Sequence, residues 1–280
     1  MKIAIISDIH SNYLVFKKAY EDALSKDVDL FLFLGDYVTD GFDANKILDI
    51  IRSSNCYAIN GNRELSLIEY RKNKDARWDK YLQFRSMKYG YESLNQENLE
   101  YLQSLPIYKI LNIASKKVCI SHSTPYNVRG DVSSDSFEVF DKLIEDYNCD
   151  VYLFGHEHKC YYTEYKEKIF INAGSIGLPT DGLPFKYGIL TIDGDVKYEK
   201  IGIAYDYDEL ESYYKNSDYY KEATIWCSLL LMTMKSGENH PQYFMDYVCT
   251  KAKKENIDIS YAIPDELFIN SYKEYYNLCH

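Results

Sequence analysis

Short apolar runs that end at metal-binding residue types are the feature that most constrains how this chain can fold. Apolar runs followed by Gly, Asp, Asn or Ser are typical of buried strands that lead into loops. The five runs are residues 3–6 before Asp8, 30–34 before Asp36, 56–59 before Asn62, 118–120 before His122 and 151–154 before His156. Because loops converge at the carboxyl edge of an open α/β sheet, we expect these side chains to lie close together.

Four motifs occupy these strand ends in a fixed order. They are Asp8-Ile9-His10, Gly35-Asp36, Gly61-Asn62-Arg63-Glu64 and Gly155-His156-Glu157-His158, with Ser121-His122-Ser123 between the last two. Each motif alone is an ordinary loop sequence. The chain has six histidines, however, and only His240 and His280 fall outside these segments. Since histidine is the commonest metal ligand, four of them at strand ends indicate a metal site.

The residue types also indicate which ions the site would take. Carboxylate and amide oxygens combined with imidazole nitrogens suit divalent Mn, Fe, Zn or Co, and none of the motifs contains a cysteine. One carboxylate that bridges two ions about 3.5 to 4 Å apart lets both ions share a hydroxide and hold a phosphoryl group. Asp36 is the candidate for this bridge. The pattern therefore predicts two divalent metal ions and hydrolysis of phosphate esters.

The motif order resembles that of the calcineurin-like metallophosphoesterases, D-x-H, G-D, G-N-H-D/E, a G-H segment and G-H-x-H, over residues 1–203. The resemblance implies two packed mixed β-sheets flanked by helices, an αββα sandwich. It also implies a complete ligand set: Asp8, His10 and His158 for one metal, Asn62, His122 and His156 for the other, and Asp36 as the bridge. Residues 172–177 resemble the family's N-P-G-S segment, with Ala173 in place of proline.

Arg63 departs from the family pattern, which has a histidine that protonates the leaving group or steers the phosphate. Arginine does not release its proton near neutral pH and cannot act as a general acid. Its planar fork can still bind phosphoryl oxygens, and we expect Asn62, Arg63 and His122 to be the catalytic residues. Phosphoanhydrides and aryl or nucleotide esters, whose leaving groups need little protonation, are favoured. The alternative is that Arg63 only pairs with Glu64 or another acid.

Candidate substrate contacts beyond Arg63 are less specific. Tyr126 and Arg129 follow His122, and residues 70–91 combine seven Lys and Arg with interleaved aromatic side chains. Aromatic rings can stack on a base and cations can hold a polyphosphate. The alternative for residues 70–91 is an amphipathic helix with a solvated basic face. Glu157 either orients a neighbouring imidazole or points to solvent.

The remaining pattern predicts two regions, a metallophosphoesterase domain over 1–203 and a C-terminal helical extension over 204–280. In the first, βαβ units contain helices near 13–24 and 44–52, a hairpin pairs 107–113 with 117–121, and short strands dominate after His156. In the second, residues 206–220, 222–235, 241–255 and 264–277 read as three or four helices. The extension is expected to pack on the core, to cap the active site or to form a dimer contact.

Composition excludes several classes of function. A formal net charge of -11 argues against binding of a nucleic-acid polymer, which depends on Lys and Arg. The longest apolar stretch, residues 226–232, is too short to cross a membrane, and the chain starts without room for a signal peptide. Seven cysteines with no C-x-x-C pair predict free thiols and a cytoplasmic location. The sequence leaves the oligomeric state open.

We therefore expect a dinuclear-metal phosphoesterase that cleaves phosphodiester or phosphoanhydride bonds by attack of a metal-bridging hydroxide. The helical tail and Arg63 together resemble the asymmetrical diadenosine tetraphosphate hydrolases within the family, so a dinucleoside polyphosphate is the preferred small phosphorylated substrate. Two alternatives stay open. One is a protein serine/threonine phosphatase, and the other is a non-catalytic interaction scaffold on the same fold, as in the retromer coat.

Overall fold

The computed structural model describes residues 1–279, so that His280, the last residue of the predicted extension, lies outside it. Within these residues the strands form two five-stranded sheets. The first sheet has the order β10-β9-β1-β2-β3. Its strands are β1 (Lys2–Ile6), β2 (Leu30–Phe33), β3 (Cys56–Ala58), β9 (Phe185–Asp193) and β10 (Asp195–Ile203). The first three run parallel, and β9 and β10 pair antiparallel at one side.

The second sheet has the order β4-β5-β6-β8-β7. Its strands are β4 (Tyr108–Ile113), β5 (Lys116–Ser121), β6 (Val151–Phe154), β7 (Cys160–Tyr165) and β8 (Lys168–Ala173). Strands β5, β6 and β8 are parallel, while β4 and β7 join them as antiparallel outer strands. Parallel strands that are covered on both faces need continuous apolar runs, which explains the wholly buried sequences of β2 and β6.

Helices cover the outer faces of the two sheets. Those of the first region are α1 (Tyr13–Ser25), α2 (Ala44–Ser53), α3 (Asn62–Asn73), α4 (Arg77–Lys80), α5 (Arg85–Ser93), α6 (Gln96–Ser104) and α7 (Phe137–Tyr147), with a 3-10 turn at Leu82–Phe84. Alternation along β1 sends Ile3 and Ile5 between the sheets and Ala4 and Ile6 towards the helices. The predicted αββα sandwich is confirmed.

The C-terminal region is helical, as predicted, and its described part, residues 204–279, contains five helices instead of three or four. They are α8 (Tyr207–Lys215), α9 (Asp218–Glu222), α10 (Thr224–Ser236), α11 (His240–Glu255) and α12 (Asp265–Cys279). Leu210, Tyr214 and Tyr219 share a buried cluster with α1 and α2, so α8 and α9 extend the core of the first sheet. Helices α10 to α12 form a further cluster around Phe244 and Phe268.

Residues 70–91 do not form the single amphipathic helix that their spacing favours. Tyr81 has extended backbone angles (φ -118°, ψ 136°), and the segment is divided among the end of α3, α4, the 3-10 turn and α5. Trp78 folds back and stacks on Tyr70, with ring centroids 4.1 Å apart. The aromatic side chains therefore pack against the protein, because this burial outweighs the weak preference for one continuous helix.

Two expectations from composition can be compared with the structure. All seven cysteines are free thiols, as expected. Within residues 1–279, none of the helices is both long and apolar enough to cross a membrane.

Candidate metal centre

The carboxyl ends of strands from both sheets meet at one place. β1, β2 and β3 deliver Asp8, Asp36 and Asn62, while β5 and β6 deliver His122 and His156. Hydrogen bonds between the loops hold them together, from Asp8 N to Gly35 O at 3.1 Å, from His10 N to Asp36 O at 2.9 Å and from Gly155 N to His122 O at 2.8 Å. The sandwich thus brings together residues from five separate parts of the sequence.

Left-handed backbone conformations are concentrated at this place. Asp8, His10, Asp36, His156 and His158 have φ angles of 53°, 48°, 53°, 70° and 56°. Such angles are uncommon for residues other than glycine, and they persist where the surrounding structure imposes them. At five of the seven candidate ligands, the strained backbone therefore directs the side chain towards the same point.

The first group of donors consists of Asp8, His10 and His158, whose ligand atoms lie within 4.8 Å of one another. The Nε2 atoms of His10 and His158 are 3.1 Å apart, and His158 Nε2 is 3.3 Å from Asp8 Oδ1. Asp8 and His10 are fully buried. Two imidazoles and one carboxylate at these separations form the N/O donor set that Mn, Fe, Zn or Co accepts.

The second group consists of Asn62, His122 and His156. Asn62 Oδ1 lies 3.1 Å from His122 Nε2 and 2.9 Å from His156 Nδ1, so three donor atoms converge. His156 differs from the other three histidines because it presents Nδ1 instead of Nε2. The grouping matches the second ligand set that the family resemblance implies.

Asp36 lies between the two groups. Its Oδ2 atom is 3.8 Å from His10 Nε2 in the first group and 3.4 Å from His122 Nε2 in the second, while Oδ1 accepts a hydrogen bond from Arg63 N at 2.8 Å. One carboxylate oxygen is thus within reach of donors from both groups, which is what a bridging ligand requires. Asp8 Oδ1, at 3.9 Å from His122 Nε2, also faces the second group.

Hydrogen bonds on the far side of each ring fix the imidazoles. Nδ1 of His10 lies 3.0 Å from Asp40 Oδ2, that of His122 lies 2.7 Å from Leu34 O, and that of His158 lies 2.6 Å from Leu178 O. A proton on each Nδ1 leaves the lone pair of Nε2 free to bind a metal ion. Hydrogen-bond partners of this kind orient metal ligands in proteins. Asp40 is a buried partner that the sequence analysis did not identify.

Electrostatics couple these groups strongly. Burial raises the pKa of Asp36, but the charges of His122 and His10 outweigh it and hold that pKa far below its usual range. Burial lowers the pKa of His122, and Asp36 raises it more, to about 10. Each of these two groups therefore favours the charged form of the other. Metal binding at this place has to displace the proton of His122, since only neutral imidazole is a ligand.

Glu64 joins two of the ligand loops. Its carboxylate accepts hydrogen bonds from Gly61 N at 2.7 Å, Asp36 N at 2.9 Å and Tyr37 N at 2.7 Å, and more weakly from Val38 N at 3.2 Å. Burial and the charge of Asp36 raise the pKa of Glu64 to about 7. Because Glu64 also caps the first turn of α3, it fixes the Asp36 loop relative to Asn62.

Arg63 pairs with acids on the metal side of the site. Its Nη2 lies 3.2 Å from Asp40 Oδ2, its Nε lies 4.0 Å from Asp36 Oδ2, and its Nη1 lies 3.5 Å from Met87 Sδ. The sequence alternative named Glu64 or another acid, and the partner is Asp40, since Glu64 is engaged by backbone amides. Arg63 also lines the cavity described below, so its guanidinium is available to a ligand there.

The other candidate substrate contacts lie away from this cavity. The Tyr126 hydroxyl donates to Asp146 on α7, and its ring packs against Tyr147 at 5.7 Å. Arg129 Nη2 donates to Ser66 Oγ at 2.6 Å and reaches Asn62 O at 3.4 Å. Neither side chain lines the cavity. Their contact with substrate stays a prediction, and in this structure Arg129 braces the start of α3.

Glu157 and residues 70–91 have specific surroundings in the structure. Glu157 lines the cavity, is half-buried and accepts a hydrogen bond from Val132 N at 3.3 Å, and one of its carboxylate oxygens lies within 4.8 Å of a ring nitrogen of His156. Several cations of 70–91 are paired, Arg77 with Asp75 at 2.6 Å and Lys88 with Asp79 at 2.8 Å. The segment reaches the cavity only through Gln83, Ser86 and Met87, which are uncharged.

A cavity of about 360 Å³ opens over the candidate metal ligands. On one side, called the metal face here, it is lined by His10, Asp36, Asn62, Arg63, His156 and His158. A second set of lining residues, called the helical wall, comes from α5, α10 and α11: Met87, Trp226, Leu230, Thr233, Gln242 and Met245. The two sets adjoin where Met87 Sδ lies 3.5 Å from Arg63 Nη1. The C-terminal helices therefore cap the site, one of the three roles left open by the sequence.

Comparisons with known proteins agree with this arrangement. Residues 1–195 match the model of the calcineurin-like phosphoesterase superfamily domain. An uncharacterised protein of Methanocaldococcus jannaschii is 30% identical over 234 residues, which cover 71% of this chain and 91% of that protein.

Two solved structures share the fold. A metallophosphoesterase from Sphaerobacter thermophilus superposes with a TM-score of 0.67 at 21% identity, covering 85% of this chain and 100% of that one. A hypothetical protein from Pyrococcus horikoshii superposes with a TM-score of 0.66 at 19% identity, covering 82% and 97%. With its motifs in the expected order and its ligand residues gathered at one edge of the sandwich, this chain belongs to the calcineurin-like phosphoesterase superfamily.

Proposed function

We propose that this protein is a metal-dependent phosphoesterase that uses two divalent ions to hydrolyse phosphodiester or phosphoanhydride bonds. The single observation that carries the proposal is the pair of donor groups on either side of Asp36 Oδ2, at 3.8 Å from His10 and 3.4 Å from His122. Family membership supports the same chemistry. The ligand assignment is Asp8, His10 and His158 for one ion, Asn62, His122 and His156 for the other, and Asp36 for both.

When bound, such ions activate a water molecule and neutralise charge on the phosphoryl oxygens. The protein's own part is to fix its donors and to supply the remaining positive charge. Arg63 faces the cavity beside Asp36 and Asp40 and is placed to bind a phosphoryl oxygen through its guanidinium. Asn62 would hold its ion and steady the same group. Since Arg63 cannot donate a proton, leaving groups of low basicity are favoured.

The protein serine/threonine phosphatase alternative predicts a different response at position 63. Substrates with basic alkoxide leaving groups need a general acid, so Arg63→His is expected to raise hydrolysis of phosphomonoesters relative to diesters. High phosphopeptide turnover by the parent, with no gain in the variant, would support the phosphatase instead. A cavity of about 360 Å³ lined by the C-terminal helices favours small substrates.

The scaffold alternative differs in its metal content. A non-catalytic protein need not keep two ions per chain, whereas this chain retains all seven ligand types in converging positions. Metal analysis of the purified protein after dialysis is expected to give about two ions per chain by the two-metal mechanism. A metal-free protein that cannot be loaded would leave the scaffold as the better account.

The experiment that tests the proposal uses Mn-loaded protein with two substrates, bis(p-nitrophenyl) phosphate and diadenosine tetraphosphate. Asp36→Asn removes the bridging charge, and Asp27→Asn is the matched control, because Asp27 is an exposed aspartate far from the ligands with the same left-handed backbone. We expect metal-dependent turnover that Asp36→Asn abolishes and Asp27→Asn preserves. Equal activity in both variants would refute the metal site.

The products of diadenosine tetraphosphate distinguish finer possibilities. ATP plus AMP would establish the asymmetrical cleavage that the sequence predicts, and two ADP would mean the opposite placement of the substrate at the same ions. No cleavage of the dinucleotide, beside cleavage of the aryl diester, would keep the phosphodiesterase and remove the dinucleoside polyphosphate. The cytoplasmic location remains a prediction that fractionation of cells would test.

A further inference from the structure

We propose that the helical wall is the subsite for the organic group of the phosphoester, and that it selects a compact, uncharged, flat or apolar group such as an aryl ring. The inference rests on the proposed function, since it names the substrate class of the same cavity. It is carried by the contrast in chemistry between the two sides of the cavity.

Charge is the first observation. The helices of the helical wall, together with the 3-10 turn before α5, contribute no Lys, Arg, Asp or Glu to the cavity lining. Among residues 1–279, Arg63 is the single Lys or Arg that lines the cavity, and it lies on the metal face against Asp40 and Asp36. Arg63 meets the wall at Met87 on α5, where its Nη1 lies 3.5 Å from Sδ. A second phosphate placed against α10 or α11 would meet no Lys or Arg of those helices that lines the cavity, which is costly away from water. The wall therefore disfavours a polyphosphate chain.

The surface chemistry of the wall is the second observation. Met87 and Met245 offer polarisable thioethers, Trp226 offers an aromatic ring, and Leu230 adds a buried aliphatic group. Sulfur and aromatic side chains make favourable contacts with the faces and edges of flat rings. The side chains of Thr233 and Gln242 add uncharged polar atoms that can orient a ring substituent. This mixture is typical of a pocket for a neutral ring.

The wall is also preformed. Trp226 Nε1 donates to Gln83 O at 2.8 Å, and the ring lies 5.6 Å from that of Phe268. At the other end of α10, Gly182 N donates to Gly237 O at 3.0 Å, which ties the turn before α11 to the loop that follows β8. These bonds fix α10 against the 3-10 turn and against the loop that follows β8. A fixed wall discriminates between ligands, because it does not reshape around each of them.

Size limits the group that the wall can hold. A cavity of about 360 Å³ is near the lower end of the range for small-molecule sites. The phosphoryl group takes part of that space beside the metal face. One ring fits the remainder, and the second half of a dinucleoside tetraphosphate would extend outside.

The test measures competitive inhibition by phosphonates, which carry one organic group and no leaving group. With Mn-loaded protein and bis(p-nitrophenyl) phosphate as substrate, the inhibition constants of phenylphosphonate, methylphosphonate and 4-carboxyphenylphosphonate are compared. The phenyl compound is expected to bind roughly 10-fold more tightly than the methyl compound. The carboxyphenyl compound is expected to bind more weakly than the phenyl compound, because its added charge meets no cation.

Met245→Ala on α11 removes one side chain of the wall, and Met232→Ala on α10 is the matched control, because Met232 is partly buried but does not line the cavity. The phenyl to methyl ratio is expected to fall about 3-fold in Met245→Ala and to stay unchanged in Met232→Ala. If Met245→Ala lowers the melting temperature too far for assay, Met87→Ala on α5 provides the same readout from another helix.

The outcomes separate this inference from the proposed function. Absence of metal-dependent turnover with every ester would remove the phosphoesterase itself. Turnover with a phenyl to methyl ratio near one, or with the carboxyphenyl compound bound most tightly, would overturn the subsite and leave the phosphoesterase standing. A ratio of about 10 that falls in Met245→Ala and persists in Met232→Ala supports the neutral-ring subsite.

Discussion

The metal face and the helical wall enclose the same cavity but are built in opposite ways. The metal face consists of charged, amide and imidazole side chains on loops at strand ends, and its backbone is left-handed at four ligands, His10, Asp36, His156 and His158. The helical wall consists of uncharged side chains on regular helices. Ligand positions need unusual backbone directions, which strand-end loops provide, while a surface that recognises shape needs only the rigid face of a helix.

We therefore expect the two sides of the cavity to control different properties. Groups on the metal face act on charge that develops during reaction, so their loss should lower turnover of every substrate. Groups on the wall contact only the organic part of a substrate, so their loss should change preference among substrates. Variants on each side therefore test whether turnover and substrate preference are controlled separately.

His158→Ala should produce the largest effect. His158 Nε2 lies 3.1 Å from His10 Nε2 and 3.3 Å from Asp8 Oδ1, so its removal leaves the proposed ion with Asp8, His10 and the shared Asp36 alone. A lost ion forfeits several kcal/mol of charge stabilisation, which corresponds to a fall in kcat of about 10³-fold. Metal content should fall towards one ion per chain, measured by mass spectrometry of the dialysed protein. The loss should be equal for aryl and alkyl diesters, and a selective loss would contradict the division.

Asp40→Asn tests the boundary between the two sides. Asp40 Oδ2 lies 3.0 Å from His10 Nδ1 and 3.2 Å from Arg63 Nη2, and Oδ1 accepts from Ser86 Oγ at 2.9 Å. Removing the charge frees both His10 and Arg63, and partners of this kind typically contribute 10- to 100-fold to metal affinity or activity. We expect roughly that loss in kcat/KM, together with weaker Mn binding by titration.

Asp43→Asn is the matched control for Asp40, because it lies in the same loop and pairs with Lys46 at 2.8 Å without contacting a ligand. It should leave Mn affinity unchanged. If the two variants lose Mn affinity equally, Asp40 acts through general loop stability and does not position His10.

The sequence could predict that the candidate ligands lie together because most of them follow an apolar run, and burial of that run fixes where the side chain emerges; their binding of metal stays a prediction. Asp40 escaped prediction because a single acid in a loop with no motif has no local signal. Glu64 is part of a recognised motif, but its contacts are with the amides of Asp36 and Tyr37, which lie 28 and 27 residues earlier in the chain. These contacts form only when the Asp36 loop approaches the start of α3. Such contacts are a product of the tertiary fold.

The helical wall could not be predicted from sequence in the same way. Trp226, Leu230 and Met245 have the spacing of ordinary core residues, and their apolar character gives no indication of which cavity they face. The helical pattern of residues 70–91 is interrupted at Tyr81, where the backbone is extended, because the aromatic side chains around it pack against the protein when the segment is divided. Helix existence was therefore predictable, whereas helix placement depended on long-range packing.

Arg129→Gln tests how far the metal face extends and should have a smaller effect. Arg129 is exposed and contacts Ser66 Oγ at 2.6 Å and Asn62 O at 3.4 Å, both near the start of α3. Loss of this brace should reduce kcat/KM about 2- to 5-fold, since one partly exposed charged hydrogen bond contributes about 1 kcal/mol or less. Arg71→Gln is the control, because Arg71 lies on α3 but donates to Gln103 Oε1 at 3.2 Å. This variant should have no effect on kcat/KM.

The smallest effect is expected for Tyr126→Phe, which decides whether the loop after His122 contacts substrate. The hydroxyl of Tyr126 donates to Asp146 on α7, and the exposed side chain does not line the cavity. Its loss removes one surface hydrogen bond, so kcat/KM should change less than about 2-fold. Tyr162→Phe is matched, because Tyr162 is another exposed tyrosine that donates to an acid, Glu164, at 2.6 Å. A 10-fold loss in Tyr126→Phe alone would place its hydroxyl on the substrate. The reacting complex would then have to bring this loop over the metal face, and the division between a metal face and a helical wall would need a third, mobile side.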